Sequence, residues 1–117
     1  MVIGIGCDIV NLKRLNINDE KLVSRILTKN ELAVFLNKKN DKHKCEYLAG
    51  RFAGKEAFFK AYGIEHQMVS FHDIEILNDE AGKPFINFPN TFISISHDQD
   101  YAIAYVVVED EKKSPLR

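Results

Sequence analysis

The sequence predicts a single α+β domain in which a mostly antiparallel sheet packs against one long helix. Three observations lead to this class: a long helical pattern in the middle of the chain, short alternating segments separated by turn residues after it, and a length of 117 residues. Helices first and hairpins later are typical of α+β domains. With 45% apolar residues the chain can bury one core, but it is too short for two ordinary domains.

The first third of the chain predicts one strand and two short helices. Residues 1–8 alternate glycine with isoleucine or valine and then reach Asp8, which predicts a short buried strand that ends at this carboxylate. Segment 18–26 begins with capping residues and predicts a first helix. Thr28 and Glu31 have the spacing of a capping box directly before an apolar run, so a second helix is expected there.

The main helix is predicted over residues 45–62, where apolar residues recur at three-, four- and seven-residue intervals without a proline. Gly63 is expected to end it as a carboxyl-terminal cap, and residues 37–44 to form a polar connection before it. Alanines spaced by four lie on its other sides, so we expect burial on more than one side. Gly54 costs about 1 kcal/mol relative to alanine inside a helix, and close packing is the reason we assign to it.

The rest of the chain predicts strands joined by turns. The predicted strands are 71–77, 84–88, 91–96 and 101–109. Gly, Pro, Asn and Asp mark turns at 78–83 and 89–90, and a further turn is predicted at 97–100. The domain is therefore assigned to residues 1–110, and the charged residues 111–117 are predicted to fray.

Composition and charge argue against several classes of function. Sixteen basic and seventeen acidic residues give a net charge of -1, which argues against broad nucleic-acid binding. No run of about 18 apolar residues occurs and no basic segment precedes the first apolar stretch, so we predict no membrane span and a cytoplasmic protein. Cys7 and Cys45 are expected to be reduced, buried thiols.

The densest polar cluster lies inside the apolar long helix and comprises Arg51, Lys55, Glu56 and Lys60. Arg51 and Lys55 share one side of the helix, and Glu56 and Lys60 share a neighbouring side. A solvated face with one ion pair, worth about 0.3–0.5 kcal/mol, is the simple interpretation. Burial makes unpaired cations costly, so a polyanion site on the three cations, with Glu56 on a magnesium ion, is the competing hypothesis.

Asp8 and His97 each leave two interpretations open. A carboxylate at the end of a buried strand is either a metal ligand or a capping or salt-bridging group, and spacing alone favours the second. His97 is a turn residue by default, or a phosphate contact. It forms no hydrolytic triad with the adjacent serine and aspartate, because neighbouring strand residues point to opposite faces. Gly4 and Gly6 lack the third glycine of a dinucleotide-binding motif.

Four segments carry a joint pattern from about residue 1 to 108: IGIGCDIV at 3–10 with Arg14 after it, RFAGKEAFFKA at 51–61, GKP at 82–84 and SISHD at 94–98. Together they closely resemble the holo-acyl-carrier-protein synthases, a family of 4'-phosphopantetheinyl transferases. The resemblance implies transfer of 4'-phosphopantetheine from coenzyme A to a serine of acyl carrier protein, with release of adenosine 3',5'-bisphosphate. A carrier-binding module without chemistry and a metal-dependent nucleotide pyrophosphate hydrolase are the alternatives.

The resemblance also implies roles for individual residues. Asp8 and Glu56 would hold magnesium beside the pyrophosphate, with Lys60 next to it, so these three form the implied catalytic set. The proton of the serine would pass to Glu56, Asp8 or a metal-bound water. Arg51, Lys55 and His97 are the candidates for the remaining phosphate and nucleotide contacts.

The family further implies a homotrimer with coenzyme A at the subunit interfaces. A basic surface would attract an acidic carrier protein, and its residues would be Lys13, Arg14, Lys21 and Arg25. For Lys21 and Arg25, a solvated helix face with no partner protein is an equally favoured interpretation. Residues 63–67 lack the second glycine expected after the long helix, so backbone contacts to phosphate there stay open.

Overall fold

The computed structural model describes residues 1–64 and 69–110. Its elements are β1 (Val2–Asn11), α1 (Glu20–Ile26), α2 (Lys29–Leu36), α3 (Asp41–Tyr62), β2 (Ile76–Asn78), β3 (Pro84–Ile86), β4 (Thr91–Asp98) and β5 (Tyr101–Glu109). All strand pairs within this part of the chain are antiparallel, and the helices precede the hairpins. The α+β prediction is therefore confirmed. The predicted fraying of 111–117 and most of the loop after Gly63 lie outside the described residues.

Two sheets form, of unequal size. β1, β5 and β4 lie side by side in that order, and β2 pairs with β3 across the predicted turn, where Gly82 has a φ of 88°. The predicted strand at 71–77 is wrong over most of its length, because it begins as a single 3-10 turn, Phe71–Asp73, and only its end pairs in β2. None of the described helices is both long and apolar enough to cross a bilayer.

The helix boundaries follow the caps. The Asp19 side chain accepts from the Leu22 amide at the start of α1, and the predicted capping box of Thr28 and Glu31 opens α2. α3 ends at Gly63 with a φ of 65°, as predicted. It begins earlier than predicted, because the Asn40 side chain caps it by accepting from the His43 amide at 2.8 Å.

Two boundaries near the predicted site are wrong. Asp8 lies within β1, opposite Ala104, and the strand continues for three more residues because β5 pairs with it as far as Asn11. His97 is a strand residue of β4 rather than part of a turn. The chain reverses after it, at Gln99, whose φ is 57°.

The backbone of β1 lies directly on the backbone of α3. A Cβ atom at Gly4 would be 2.0 Å from the Ala61 carbonyl oxygen, and one at Gly6 would be 1.9 Å from the Ala57 carbonyl oxygen. Neither position has room for a side chain, so these glycines allow close contact between the strand and the helix.

Burial of α3 on several sides is also confirmed. Twelve of its residues are buried, against the three-stranded sheet on one side and the α1 and α2 cluster on another. Gly54 lies where a Cβ would be 2.7 Å from the Ile76 Cδ1 atom, so close packing does account for this glycine.

A buried ion pair joins α3 to the start of α2. Lys55 and Glu31 are both 0% exposed, and the Lys55 Nζ lies 2.6 Å from the Glu31 Oε1. The ammonium also donates to the carbonyls of Ile26 at 2.7 Å and Phe71 at 3.0 Å. Burial lowers the pKa of Lys55, and the Glu31 carboxylate opposes that shift. All three protons of this ammonium have protein acceptors, so the prediction that Lys55 contacts a phosphate is corrected to a structural role.

Glu31 completes this connection through its other contacts. Its Oε1 accepts from the Thr28 amide at 2.8 Å, and its Oε2 accepts from the Ile76 amide at 2.7 Å. The buried pair therefore joins α2, α3 and β2 at a point that solvent does not reach.

We expect Lys55→Met to lower the free energy of unfolding by about 3–5 kcal/mol, because it leaves a buried carboxylate without its cation. Urea unfolding followed by circular dichroism measures this change. The double variant Lys55→Met, Glu31→Gln should recover part of the loss, since a neutral amide carries no unpaired charge. A single variant as stable as the parent would contradict the structural role.

We expect Gly6→Ala to destabilise the fold by about 3 kcal/mol or more, because the new methyl group would collide with backbone atoms of α3. Gly50→Ala is the matched control, since its Cβ would meet only the Ile95 Cγ2 methyl at 3.1 Å. That variant should stay within about 1 kcal/mol of the parent, as alanine favours the helix. Equal melting temperatures for the two variants would argue against the close contact.

Candidate functional site

Asp8 and Lys60 meet where β1 crosses α3. Side chains alternate along a strand, so Asp8 is on the helix-facing side with Gly4 and Gly6. Its Oδ1 lies 3.0 Å from the Lys60 Nζ, which also donates to the Cys7 carbonyl at 2.9 Å. The Asp8 side chain is 20% exposed and the Lys60 side chain 55%, so solvent reaches the pair.

Glu56 belongs to the same region of α3. It is half-buried and lies four residues before Lys60, hence on the same side of the helix. Gly4 faces Ala61 and Gly6 faces Ala57. Two residues of β1, which span about 6.6 Å, therefore run beside four residues of α3, which span about 6 Å. One further step of this kind carries Asp8 to the level of Ala53, which is three residues, or about 4.5 Å along the helix axis, from Glu56. We refer to Asp8, Glu56 and Lys60 as the carboxylate cluster.

The chemistry of the carboxylate cluster suits a hard divalent cation. The Lys60 ammonium, held by the Asp8 carboxylate and the Cys7 carbonyl oxygen, marks a position that accepts positive charge. Oxygen donors of this kind suit Mg²⁺, which needs few carboxylates and keeps several waters or phosphate oxygens. No group of three or more His, Cys, Asp and Glu side chains that could hold a metal is found within 1–64 and 69–110. A metal at this site would therefore need ligands from water or substrate.

A second polar region is an open cleft of about 1020 Å³ between α2, the first half of α3 and the ends of β2 and β4. Much of its lining is basic or amide, and it includes Lys38, Lys39, His43, Arg51, Asn78 and His97. We refer to it as the basic cleft. Such a lining can bind phosphate groups by charge and by hydrogen bonds.

Arg51 is fixed within the basic cleft. It is 6% exposed, its Nε donates to the Ile76 carbonyl at 3.1 Å and its terminal nitrogen donates to the Asn78 side chain. The guanidinium lies over the Tyr47 ring at 4.1 Å. Burial lowers the pKa of Arg51 from its ordinary value. The protein thus positions the guanidinium rigidly.

His97 also lines the basic cleft. Its Nδ1 lies 3.4 Å from the Glu46 Oε2, and about half of its side chain is exposed. The imidazole can therefore reach a ligand while the carboxylate orients it.

The two regions are separate within one chain. Asp8 is on β1 and His97 is on β4, at opposite edges of the three-stranded sheet with β5 between them. Neither Asp8 nor Lys60 lines the basic cleft, and Lys55 belongs to neither region. The sequence predicted one set of residues around one ligand. The structure divides that set between the two sides of α3.

Some features of these regions escaped the sequence analysis. Lys38, Lys39 and His43 lie in the segment predicted to be a polar connection, and their clustered positive charge is the sequence signal for an anion-binding surface. The role of the Cys7 carbonyl could not be predicted from the sequence, because every residue has a backbone carbonyl. Only the position of β1 at the edge of the sheet determines which carbonyl can accept from Lys60.

The predicted carrier-protein surface is exposed throughout. Lys13 and Arg14 lie on a 3-10 turn, Leu12–Arg14, and Lys21 and Arg25 lie on α1. Lys13 forms a surface ion pair with Asp100 at 3.7 Å, which carries little energy. Arg25 borders a pocket of about 230 Å³ with Phe59, Ser70, Phe71 and His72.

Both the sequence and the fold are similar to those of known proteins. The sequence matches the 4'-phosphopantetheinyl transferase superfamily over residues 4–106. A holo-[acyl-carrier-protein] synthase of a Geobacillus species is 48% identical over 117 residues, covering 93% of this chain and 98% of the relative.

Two solved structures are similar along nearly their whole length. A holo-(acyl-carrier-protein) synthase of Bacillus anthracis in complex with CoA (3',5'-ADP) has a TM-score of 0.87 and 43% identity, covering 95% of this chain and 99% of that one. The Helicobacter pylori holo-[acyl-carrier-protein] synthase in complex with coenzyme A has a TM-score of 0.77 and 32% identity, covering 90% and 99%. The chain therefore belongs to the 4'-phosphopantetheinyl transferase superfamily.

Proposed function

We propose that this protein transfers the 4'-phosphopantetheine of coenzyme A to a serine of acyl carrier protein and releases adenosine 3',5'-bisphosphate. The proposal depends on the carboxylate cluster, in a chain that is 48% identical to a holo-[acyl-carrier-protein] synthase. The coenzyme A complexes of two similar proteins support the same substrate. No observation favours a binding module without chemistry or a pyrophosphate hydrolase.

Asp8 and Glu56 would hold Mg²⁺, which when bound neutralises charge on the diphosphate of coenzyme A. Lys60 would contact the diphosphate from the same side of α3. The serine oxygen of the carrier then bonds to the phosphorus that bears pantetheine, and the bond from that phosphorus to the bridging oxygen breaks. The electron pair leaves with adenosine 3',5'-bisphosphate. The serine proton passes to a nearby base, for which the two carboxylates are the protein candidates.

Arg51 and His97 would bind the phosphate and nucleotide end of coenzyme A in the basic cleft. Because α3 separates this cleft from the carboxylate cluster, one coenzyme A would join the cluster of one subunit to the cleft of its neighbour. A site of this kind requires an assembly, and we propose the homotrimer that the family resemblance implies.

The surface that could form the trimer is the outer face of the three-stranded sheet. Its exposed apolar side chains point away from α3 and include Ile3, Ile5, Ile9, Phe92, Tyr101 and Tyr105. A continuous apolar face of this kind is typical of a subunit interface. We propose further copies of this chain as its occupants.

The acidic carrier protein would approach the exposed basic residues Lys13, Arg14, Lys21 and Arg25. Complementary charge of this kind mainly raises the rate of encounter and selects the partner. Cys7 and Cys45 are free thiols, and they are half-buried rather than buried as predicted. Free thiols support the cytoplasm as the proposed location.

We expect Asp8→Asn and Glu56→Gln each to reduce transfer by more than about 100-fold, because either change removes a ligand of the metal. Apo carrier protein is incubated with coenzyme A, Mg²⁺ and each variant, and the carrier is weighed by mass spectrometry. Glu80→Gln, an exposed change in the hairpin turn, is the control and should leave transfer intact. Full transfer by either site variant would remove that residue from the mechanism, and cleaved coenzyme A with unmodified carrier would indicate a hydrolase.

We expect Ile5→Glu to convert the trimer into monomers, because it places a charge in the middle of the apolar sheet face. Sedimentation velocity gives the mass of the assembly. Leu36→Glu is the matched control, since Leu36 is 60% exposed on α2 and Ile5 is 65% exposed on the sheet. A parent protein that sediments as a single chain would contradict the proposed assembly.

A further inference from the structure

The Lys60 ammonium lies between two oxygen atoms that belong to β1. Its Nζ is 3.0 Å from the Asp8 Oδ1 and 2.9 Å from the Cys7 carbonyl oxygen. Cys7 lies in β1, an edge strand of the sheet. One carboxylate oxygen and one carbonyl oxygen therefore converge on a single positive charge.

This arrangement is held loosely. The Lys60 side chain is 55% exposed and extends from the last turn of α3, whereas Asp8 is 20% exposed on a paired strand. The long lysine side chain can rotate into solvent, while the aspartate stays in place. Lysine is therefore the partner that moves when another cation enters.

A metal ion and this ammonium cannot both use the Asp8 carboxylate without repulsion between like charges at close range. Once displaced, the ammonium needs a new anionic partner to recover the lost attraction. The diphosphate of coenzyme A provides one and also provides oxygen ligands for the metal.

We propose that Lys60 blocks the metal position until coenzyme A binds, so that metal and coenzyme A bind cooperatively. This inference rests on the proposed function, because it takes Asp8 as a metal ligand. Lys60 leaves Asp8 for the diphosphate in the same step in which the metal takes its place. The coupling is reciprocal, so the metal also strengthens coenzyme A binding.

Metal binding without any turnover tests this proposal. Mn²⁺ replaces Mg²⁺ as a spectroscopic probe, and free Mn²⁺ is measured by electron paramagnetic resonance with and without coenzyme A, in the absence of carrier protein. For the parent protein, coenzyme A should tighten Mn²⁺ binding about tenfold or more. Without coenzyme A, Lys60→Met should bind Mn²⁺ roughly tenfold more tightly than the parent. Lys29→Met, an exposed change on α2, is the matched control and should bind like the parent.

Salt separates direct occupation from a distant charge effect. At about 0.5 M KCl long-range attraction and repulsion are largely screened, so only a direct competitor keeps its effect. The gain in Lys60→Met should therefore persist. Parent and Lys60→Met proteins with equal Mn²⁺ affinity, or a gain that disappears in salt, would overturn the proposal.

Asp8→Asn distinguishes this failure from failure of the proposed function. If that variant loses Mn²⁺ binding in the presence of coenzyme A while Lys60→Met binds like the parent, the metal site stands and only the role of Lys60 is overturned. If Asp8→Asn binds Mn²⁺ as tightly as the parent, both the metal site and the inference built on it are overturned.

Discussion

The backbone of β1 rests on the backbone of α3 with no side chain between them at Gly4 and Gly6. This contact fixes where the strand can carry a functional group. Asp8 is the next residue on the same side of the strand, and it comes within reach of Lys60 only because the strand lies so close to the helix. A bulkier β1 would lift the carboxylate away and also remove the Cys7 carbonyl from the ammonium.

The same sheet serves two purposes through its two faces. Its inner face presents Asp8 and His97 on either side of α3, while its outer face exposes isoleucine, phenylalanine and tyrosine side chains. The long helix separates the carboxylate cluster from the basic cleft. A reaction between two large molecules fits a site divided in this way, because each substrate can approach from a different direction.

Local signals predicted the helices well, whereas pairing across the chain decided the features that were missed. The capping box at Thr28 and the end of α3 at Gly63 could be predicted because each depends on residues within one turn. The continuation of β1 beyond Asp8 depends on β5, about ninety residues later, so no local pattern contained it. Lys55 was misassigned for a related reason, since its partner Glu31 is 24 residues away.

The proposed residues around the metal could be found from the sequence only as a joint pattern. Asp8 alone looked like a capping group, and Glu56 alone looked like half of a helical ion pair. The approach of Asp8 to α3 follows from the crossing of a strand and a helix, which sequence spacing does not encode. The separation of His97 from Asp8 could not be predicted either, because it depends on which edge of the sheet each strand occupies.

The buried Lys55 and Glu31 pair restricts how this protein can diverge. Loss of either charge alone strands the other in the interior, while loss of both together permits an apolar replacement. Single substitutions at position 31 or position 55 are therefore not tolerated one at a time. Lineages would keep the pair intact or exchange it as a unit, so these two positions should covary even though neither belongs to the proposed catalytic set.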